Sequence, residues 1–285
     1  MPALSKYVLV IIGFFSIFLL SHHANSQQDG ATLTLGPEPY MGPKIVINVP
    51  ARQMHVYLAD RHLMTYPIAV GSSGYPTPLG PREMDQVVLN AWWFPPDSEW
   101  AKDDKPMPPG KNNPLGSLKM RLGGTIMAHG TNKPKTIGTP ASHGCIRMFT
   151  EDARALALWV VENVAKDSTT VFAEAEVHKG RSYYINLPQS VPIEVLYDLI
   201  EFKDETLLVY RDIYSRVPNK IEAIREELEV YGINLDDVDF ALIEARLKES
   251  KNREDLLFTL SEILISQRDK KRIPVKMANL PQSGA

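Results

Sequence analysis

Two β-rich runs of about six residues, 44–49 (KIVINV) and 53–58 (QMHVYL), flank Pro50-Ala51-Arg52. Val, Ile and Tyr favour pleated backbone, and a three-residue break of this kind suits a hairpin. The chain is therefore expected to open its folded part as a β-domain. Residues 64–70 (MTYPIAV) continue the series, with Pro67 pointing to an edge position or bulge because it has no N–H to give a ladder. Residues 86–93 and 119–128 supply two further apolar segments. One helix is then expected: Thr150 is placed to cap it, and Glu151 and Asp152 suit its positive N-terminus. Leu156, Trp159, Val160 and Val164 fall on one broad face at helical spacing. From Val171 the pattern reads as strand again. Residues 44–175 are expected to form one mainly β catalytic domain, sandwich- or barrel-like, with a helix packed on it.

The rest of the 285-residue chain changes character. Residues 181–211 mix strand-like runs, 205–210 (ETLLVY) among them. Residues 219–268 read as helices: Asn219 caps the first and Gly232 ends it. Val238, Leu242, Ile243 and Leu247 share one face; Leu256, Leu260, Ile263 and Leu264 share another. These stripes are read as packing surfaces. Residues 181–285 thus form a smaller mixed, largely helical C-terminal region.

At the other end, Lys6 precedes fourteen uncharged residues, Tyr7 to Leu20, too few to span a bilayer comfortably. Small residues at Ala24 and Ser26 come next, so residues 1–26 read as a secretory signal cleaved after Ser26, an uncleaved anchor being the alternative. Residues 27–43, rich in Gly, Pro and polar side chains, read as a linker. Export to the periplasm or cell envelope is the expectation. A formal charge of −3 gives no basic surface for nucleic acid, so none is expected as a partner.

Export sharpens the meaning of the cysteine count. Secreted chains usually pair their cysteines. This chain has one, Cys145, which must be either buried and inert or used. Its surroundings favour use. The stretch 129–147, HGTNKPKTIGTPASHGCIR, lies between an apolar strand and a helix, where loops commonly carry active sites. A thiol attacks as thiolate, and a nearby imidazole can take its proton. His129 and His143 are the candidates. His129 is favoured as base, approaching if the Gly- and Pro-rich loop folds back, with His143 as a wall or electrostatic element. Gly144 would let a substrate carbonyl approach the backbone, and the amides of His143, Gly144 and Cys145 are candidate oxyanion donors. Arg147 can fork onto a carboxylate. Zinc on His129, His143 and Cys145 is disfavoured, since the other histidines (His22, His23, His55, His62, His178) sit in unrelated contexts and no fourth ligand is in view. No metal and no cofactor is expected.

The run HGTNKPKTIGTPASHGCIRM resembles the active-site motif of the L,D-transpeptidase catalytic domain, YkuD type, in its ErfK-like branch. Val70-Gly71 with Thr77-Pro78-Leu79-Gly80 is similar to the family's glycine turn. Trp93-Phe94-Pro95-Pro96 and residues 109–116 (PGKNNPLG) are similar to its segments ahead of the motif. The likeness covers residues 44–175, is weak over 181–211 and stops before the helices. Position 79 is Leu, a departure, and no wall-binding repeat is recognisable. The resemblance implies that Cys145 attacks the carbonyl of the third residue of a peptidoglycan stem peptide, usually a diamino acid, and expels D-alanine. The acyl group then passes to an amine, of another stem or of a protein lysine at the wall. It makes His129 the base, lets the Gly130 carbonyl orient an imidazole, puts Ser142 and His143 along the site and gives Arg147 a substrate carboxylate. Two other functions compete: a carboxypeptidase or amidase on the same scaffold, and a non-catalytic wall-binding scaffold. A papain-type protease is disfavoured because its Cys precedes its His.

Overall fold

The structure, a computed structural model, describes residues 40–265. The expected signal segment 1–26, its cleavage after Ser26 and linker residues 27–39 lie outside the described residues. The chain divides into two units, one ending at Tyr197 and one beginning at Asp198.

The first unit is built on an eight-stranded sheet. Its strands are β1 (Pro43–Asn48), β2 (Gln53–Leu58), β3 (Arg61–Pro67), β5 (Gly80–Leu89), β6 (Leu118–Arg121), β7 (Met127–His129), β9 (Ile146–Arg147) and β10 (Tyr183–Leu196). Their spatial order is β3-β2-β1-β10-β5-β6-β7-β9. Two short strands, β4 (Val70–Gly71) and β8 (Pro140–Ser142), pair in parallel apart from it. The opening hairpin forms as its sequence dictates, β1 antiparallel to β2 with Ile45 opposite Val56. Ile45 and Ile47 are fully buried while Lys44 and Val46 are partly exposed, the period-two signature of a strand with one covered face. Pro67 ends the edge strand β3, where its missing N–H breaks no ladder bond.

Helix α1 (Thr150–Val164) packs on β1, β6, β7 and β10. Its buried stripe is Ala153, Leu156, Ala157, Val160 and Val161, rotated from the expected face so that Trp159 and Val164 are only partly covered. Small alanines let the helix approach the sheet, and Leu156→Ala there would cost about 2 to 5 kcal/mol. Thr150 does not cap the helix; Phe149 holds that position without a side-chain bond. The Thr150 hydroxyl instead accepts from the Thr131 amide at 3.3 Å, tying the helix start to the loop after His129.

One expectation fails just beyond α1. Residues 170–177 are a helix, α2 (Thr170–Val177), and not a strand. Ala and Glu alternate there, both strong helix formers, and Phe172 and Ala175 bury at i, i+3 spacing. The first compact unit runs on past residue 175, to Tyr197. Strand β10 lies inside the large sheet, parallel to β1 (Ile45 opposite Ile193) and antiparallel to β5 (Ile185 opposite Val87). Its register shifts between Asn186 and Val191, around Pro188. That interruption makes one long strand look like two marginal ones in sequence.

The second unit has a three-stranded antiparallel sheet, β11 (Ile200–Lys203), β12 (Thr206–Val209) and β13 (Leu256–Thr259), in that order. Its helices are α3 (Lys220–Val230), α4 (Phe240–Ser250) and the short α5 (Leu260–Ile263). Asn219 caps α3, its side chain accepting from the Glu222 amide at 3.1 Å. Residues 256–259 were expected in a helix and form a strand. Leu256 and Phe258 are buried and Leu257 is exposed, so the period there is two. Thr259 and Glu262 then make a capping box that starts α5.

Candidate active site

The site is set by three adjacent strands of the first unit. Lys119 on β6 pairs with His129 on β7, and His129 pairs with Arg147 on β9. Direct partners on neighbouring strands present their side chains on one face. Cys145 stands in the bend just ahead of β9, two residues before Arg147, with Arg147 and Lys119 both within electrostatic reach of its sulfur. β9 lies directly beside β7, which leaves Cys145 one strand away from His129. The loop of fifteen residues between them does fold back, as the motif requires. Cys145 is half-buried, with its sulfur 3.8 Å from the Thr125 carbonyl; His129 is buried.

A carbonyl oxygen only accepts, so the 2.6 Å contact between His129 Nδ1 and the Gly130 oxygen fixes the proton on Nδ1. Nε2 is left with its lone pair, the form a base needs. Burial is the main reason the His129 pKa falls to about 4; Arg147 and Lys119 add to it, and the Gly130 bond opposes it. Burial also raises the Cys145 thiol, against the Met127 backbone bond and the charges of Arg147 and Lys119. At neutral pH the pair rests as thiol and neutral imidazole.

The backbone around the thiol is held from several sides. Ala69 and Arg147 exchange two bonds of 2.8 and 2.9 Å, the Ser72 amide donates to Ser142 O at 2.9 Å, and the Met148 amide donates to His129 O at 2.9 Å. The Ser142 hydroxyl donates to the Cys145 carbonyl and accepts from the Gly144 amide at 3.1 Å. Gly144 has φ +105°, a conformation that side-chain-bearing residues rarely adopt. Gly71 is needed for a different reason: a Cβ there would lie 2.1 Å from the Tyr75 carbonyl oxygen.

The L,D-transpeptidase catalytic domain family, YkuD, matches residues 42–172. Residues 42–172 are thus similar to a YkuD-type L,D-transpeptidase catalytic domain. Over 205 residues the chain is 30% identical to "Probable L,D-transpeptidase YcfS" of Escherichia coli K12, covering 61% of this chain and 64% of that protein. It is 31% identical over 147 residues to "Probable L,D-transpeptidase ErfK/SrfK" of Salmonella typhimurium LT2, covering 45% and 46%. The chain therefore spans under two thirds of the length of these relatives. Among solved structures, the catalytic domain of the Enterococcus faecium L,D-transpeptidase aligns at 15% identity and a TM-score of 0.35, over 55% of this chain and 98% of that one.

Within this segment the structure brings Cys145, His129, Gly130, Ser142, Gly144 and Arg147 together around one loop. One expected role needs correction: the Gly144 amide already donates to Ser142, so it is not a spare oxyanion donor. What Gly144 contributes is its unusual turn and its carbonyl, which accepts from the Thr77 hydroxyl at 3.0 Å. His143 is exposed and its ring lies flat on Trp100, centroids 4.0 Å apart and planes at 4°, with Tyr75 edge-on at 4.5 Å. It forms a wall with those two aromatics, as its expected role allows.

Sequence reasoning missed Thr77, Lys119, Trp100 and Tyr75. Thr77 was visible inside its Thr-Pro-Leu-Gly run but gave no sign that its hydroxyl turns to Gly144. Lys119 did leave a signal, a lone cation between two buried apolar residues of a strand, Leu118 and Met120. The aromatic contacts join His143 to residues 43 and 68 positions earlier in the chain, Trp100 and Tyr75, and left none.

Proposed function

We propose that the protein is an exported peptidoglycan L,D-transpeptidase, with residues 43–197 as its catalytic unit and Cys145 as its nucleophile. The observation that carries this reading is the Nδ1-protonated His129, its bare Nε2 one strand away from the only cysteine. The thiol proton passes to His129 Nε2 as sulfur bonds to the carbonyl carbon of the third stem residue. Collapse of the tetrahedral adduct breaks the C–N bond to the terminal D-alanine, whose nitrogen takes that proton from the imidazolium. An amine then attacks the thioester, the proton moves back through His129, and the thiol is regenerated. The amides of His143 and Cys145 are the candidates for holding the oxyanion, and Arg147 for holding a substrate carboxylate.

The expected acceptor is a diamino acid of a second stem or a lysine of a wall-attached protein. A purified tetrapeptide-bearing muropeptide tests the reading. Cross-linked dimers are expected, and tripeptides without dimers would make the protein a carboxypeptidase. Intact-mass measurement after exposure to a carbapenem is expected to show one adduct, mapping to Cys145; no adduct on folded protein would overturn the thioester chemistry.

A further inference from the structure

The face that carries the thiol bears more positive charge than the reaction above uses. Lys119 and Arg147 flank His129 on β6 and β9, both half-buried and both within electrostatic reach of the Cys145 sulfur. Among the described residues neither takes part in an ion pair. Two residues along β6, Arg121 does have its counter-charge, an Asp85 carboxylate held through two bonds of 2.6 Å. Half-buried cations without an anion are costly, and burial lowers the pKa of both. The thiol does not supply the missing charge at rest, because burial keeps it protonated. Such a pair of cations is complementary to an anion brought by the substrate.

We propose that Lys119 and Arg147 together form a carboxylate subsite beside Cys145, and that Lys119 selects donor peptides with a free carboxylate next to the attacked carbonyl. The inference rests on the acyl-transfer reading and adds a specificity-determining residue to it. Two planar carboxylate oxygens suit this arrangement, one for the guanidinium fork and one for the ammonium. A tetrapeptide donor offers the terminal carboxylate of the leaving residue and, where its third residue is a diamino diacid, a side-chain carboxylate there as well.

Three synthetic tetrapeptide donors separate the possibilities: unmodified, amidated at the C-terminus, and amidated on the third side chain. kcat/KM for release of the terminal residue is measured with wild type, Lys119→Gln and Lys119→Arg. Wild type is expected to lose roughly 10- to 100-fold with one amidated donor, the range of a charge-assisted hydrogen bond, and that donor identifies the carboxylate. Lys119→Gln is expected to fall by a similar factor on the unmodified donor and to lose the preference, while Lys119→Arg keeps it. Because the preference is a ratio within one preparation, a partly misfolded variant does not distort it. Equal use of all three donors by wild type, or an intact preference in Lys119→Gln, overturns the subsite. No release from any donor together with no carbapenem adduct on Cys145 overturns the acyl-transfer reading itself, and the subsite with it.

Discussion

The hydroxyl of Thr77 donates to the carbonyl of Gly144 at 3.0 Å, one residue ahead of the thiol, and accepts from the amide of Gly71 at 2.8 Å. Thr77 is fully buried, so one side chain pins the glycine turn after β4 to the backbone that presents Cys145. Thr77→Val keeps the shape and removes both bonds, leaving an amide and a carbonyl buried without these partners. That substitution is expected to cost roughly 2 to 4 kcal/mol and to slow carbapenem acylation of the folded fraction. Thr77→Ser retains the hydroxyl and is expected to stay within about 1 kcal/mol of wild type. Thermal melts and single-turnover acylation check both, and equal behaviour of Val and Ser would show that the hydroxyl does not position the loop.

Glycines 71 and 144 are expected to fail differently when changed to alanine. At Gly144 a Cβ would find only ordinary contact, 3.6 Å from Ile126, so the cost is that of φ +105°, about 1 to 3 kcal/mol. At Gly71 the Cβ meets backbone of Tyr75, Pro76 and Thr77 within 2.8 Å, so residues 75–77 must move and carry the Thr77 hydroxyl away from Gly144. Gly144→Ala should melt lower with its Thr77 contact kept. Amide exchange at Tyr75 and Thr77 should accelerate in Gly71→Ala alone.

Much of this site was legible in the sequence because its parts lie close together along the chain. His129, Ser142, Gly144, Cys145 and Arg147 fall within one nineteen-residue stretch, and a strand before it and a helix after it fix its ends. The opening hairpin and the Asn219 cap were legible for the same reason, each being decided by neighbours a few residues away. What escaped depends on pairing across long separations. Strand β10 reads as two weak runs until β1 and β5 flank it, and Lys119 gains its role only when β6 meets β7. Residues 170–177 were misread because Val171 and Phe172 outweighed the alanines and glutamates that come after them.

The stack of His143 on Trp100 joins the cysteine loop to the segment between β5 and β6. A ring pair of this kind contributes about 0.5 to 1.5 kcal/mol, too little to hold the fold but enough to bias a loop. Trp100→Ala is expected to leave the melting temperature within a few degrees of wild type while raising KM for a tetrapeptide donor more than it lowers kcat. Trp100→Phe should recover most of the loss. An unchanged KM in Trp100→Ala would mean that the stack does not shape the donor's path.

His129 makes stability depend on pH with a definite sign. Its pKa is about 4 when folded, against an ordinary value of 6.5, so between those limits the unfolded chain binds the extra proton. The contribution is fully present above pH 6.5 and is lost as pH falls toward 4, on the order of 3 kcal/mol in all. Exchange protection of β6 and β7 amides should weaken over that window, and His129→Gln should flatten the dependence. Acylation by a carbapenem should show no inflection near pH 6.5, since the imidazole is already neutral there. An inflection near 6.5 would mean that His129 titrates as an ordinary exposed histidine.

The C-terminal unit is expected to respond to pH in the opposite direction. Glu227 on α3 is raised from 4.5 to about 7, first by burial and then by the neighbouring Asp198 and Glu201 carboxylates; the Phe202 amide, donating to it at 3.2 Å, pulls the other way. Burial first, and then the same three carboxylates, raise Tyr231, so like charge gathers at this corner as it ionises. A carboxyl whose folded pKa lies above its unfolded one binds the extra proton when folded. Its stabilising contribution is complete below pH 4.5 and disappears as pH climbs through 7. Amides of β11, β12 and α3, corrected for intrinsic exchange, should therefore open more often at pH 7.5 than at pH 5.5, while those of β6 and β7 do the reverse below pH 6.5. Glu227→Gln keeps an acceptor for the Phe202 amide and removes the charge, so it should abolish the pH slope in the C-terminal unit and leave the slope at His129 in place. If the slope survives that substitution, the repulsion is seated in Asp198 and Glu201 and Glu227 only reports it.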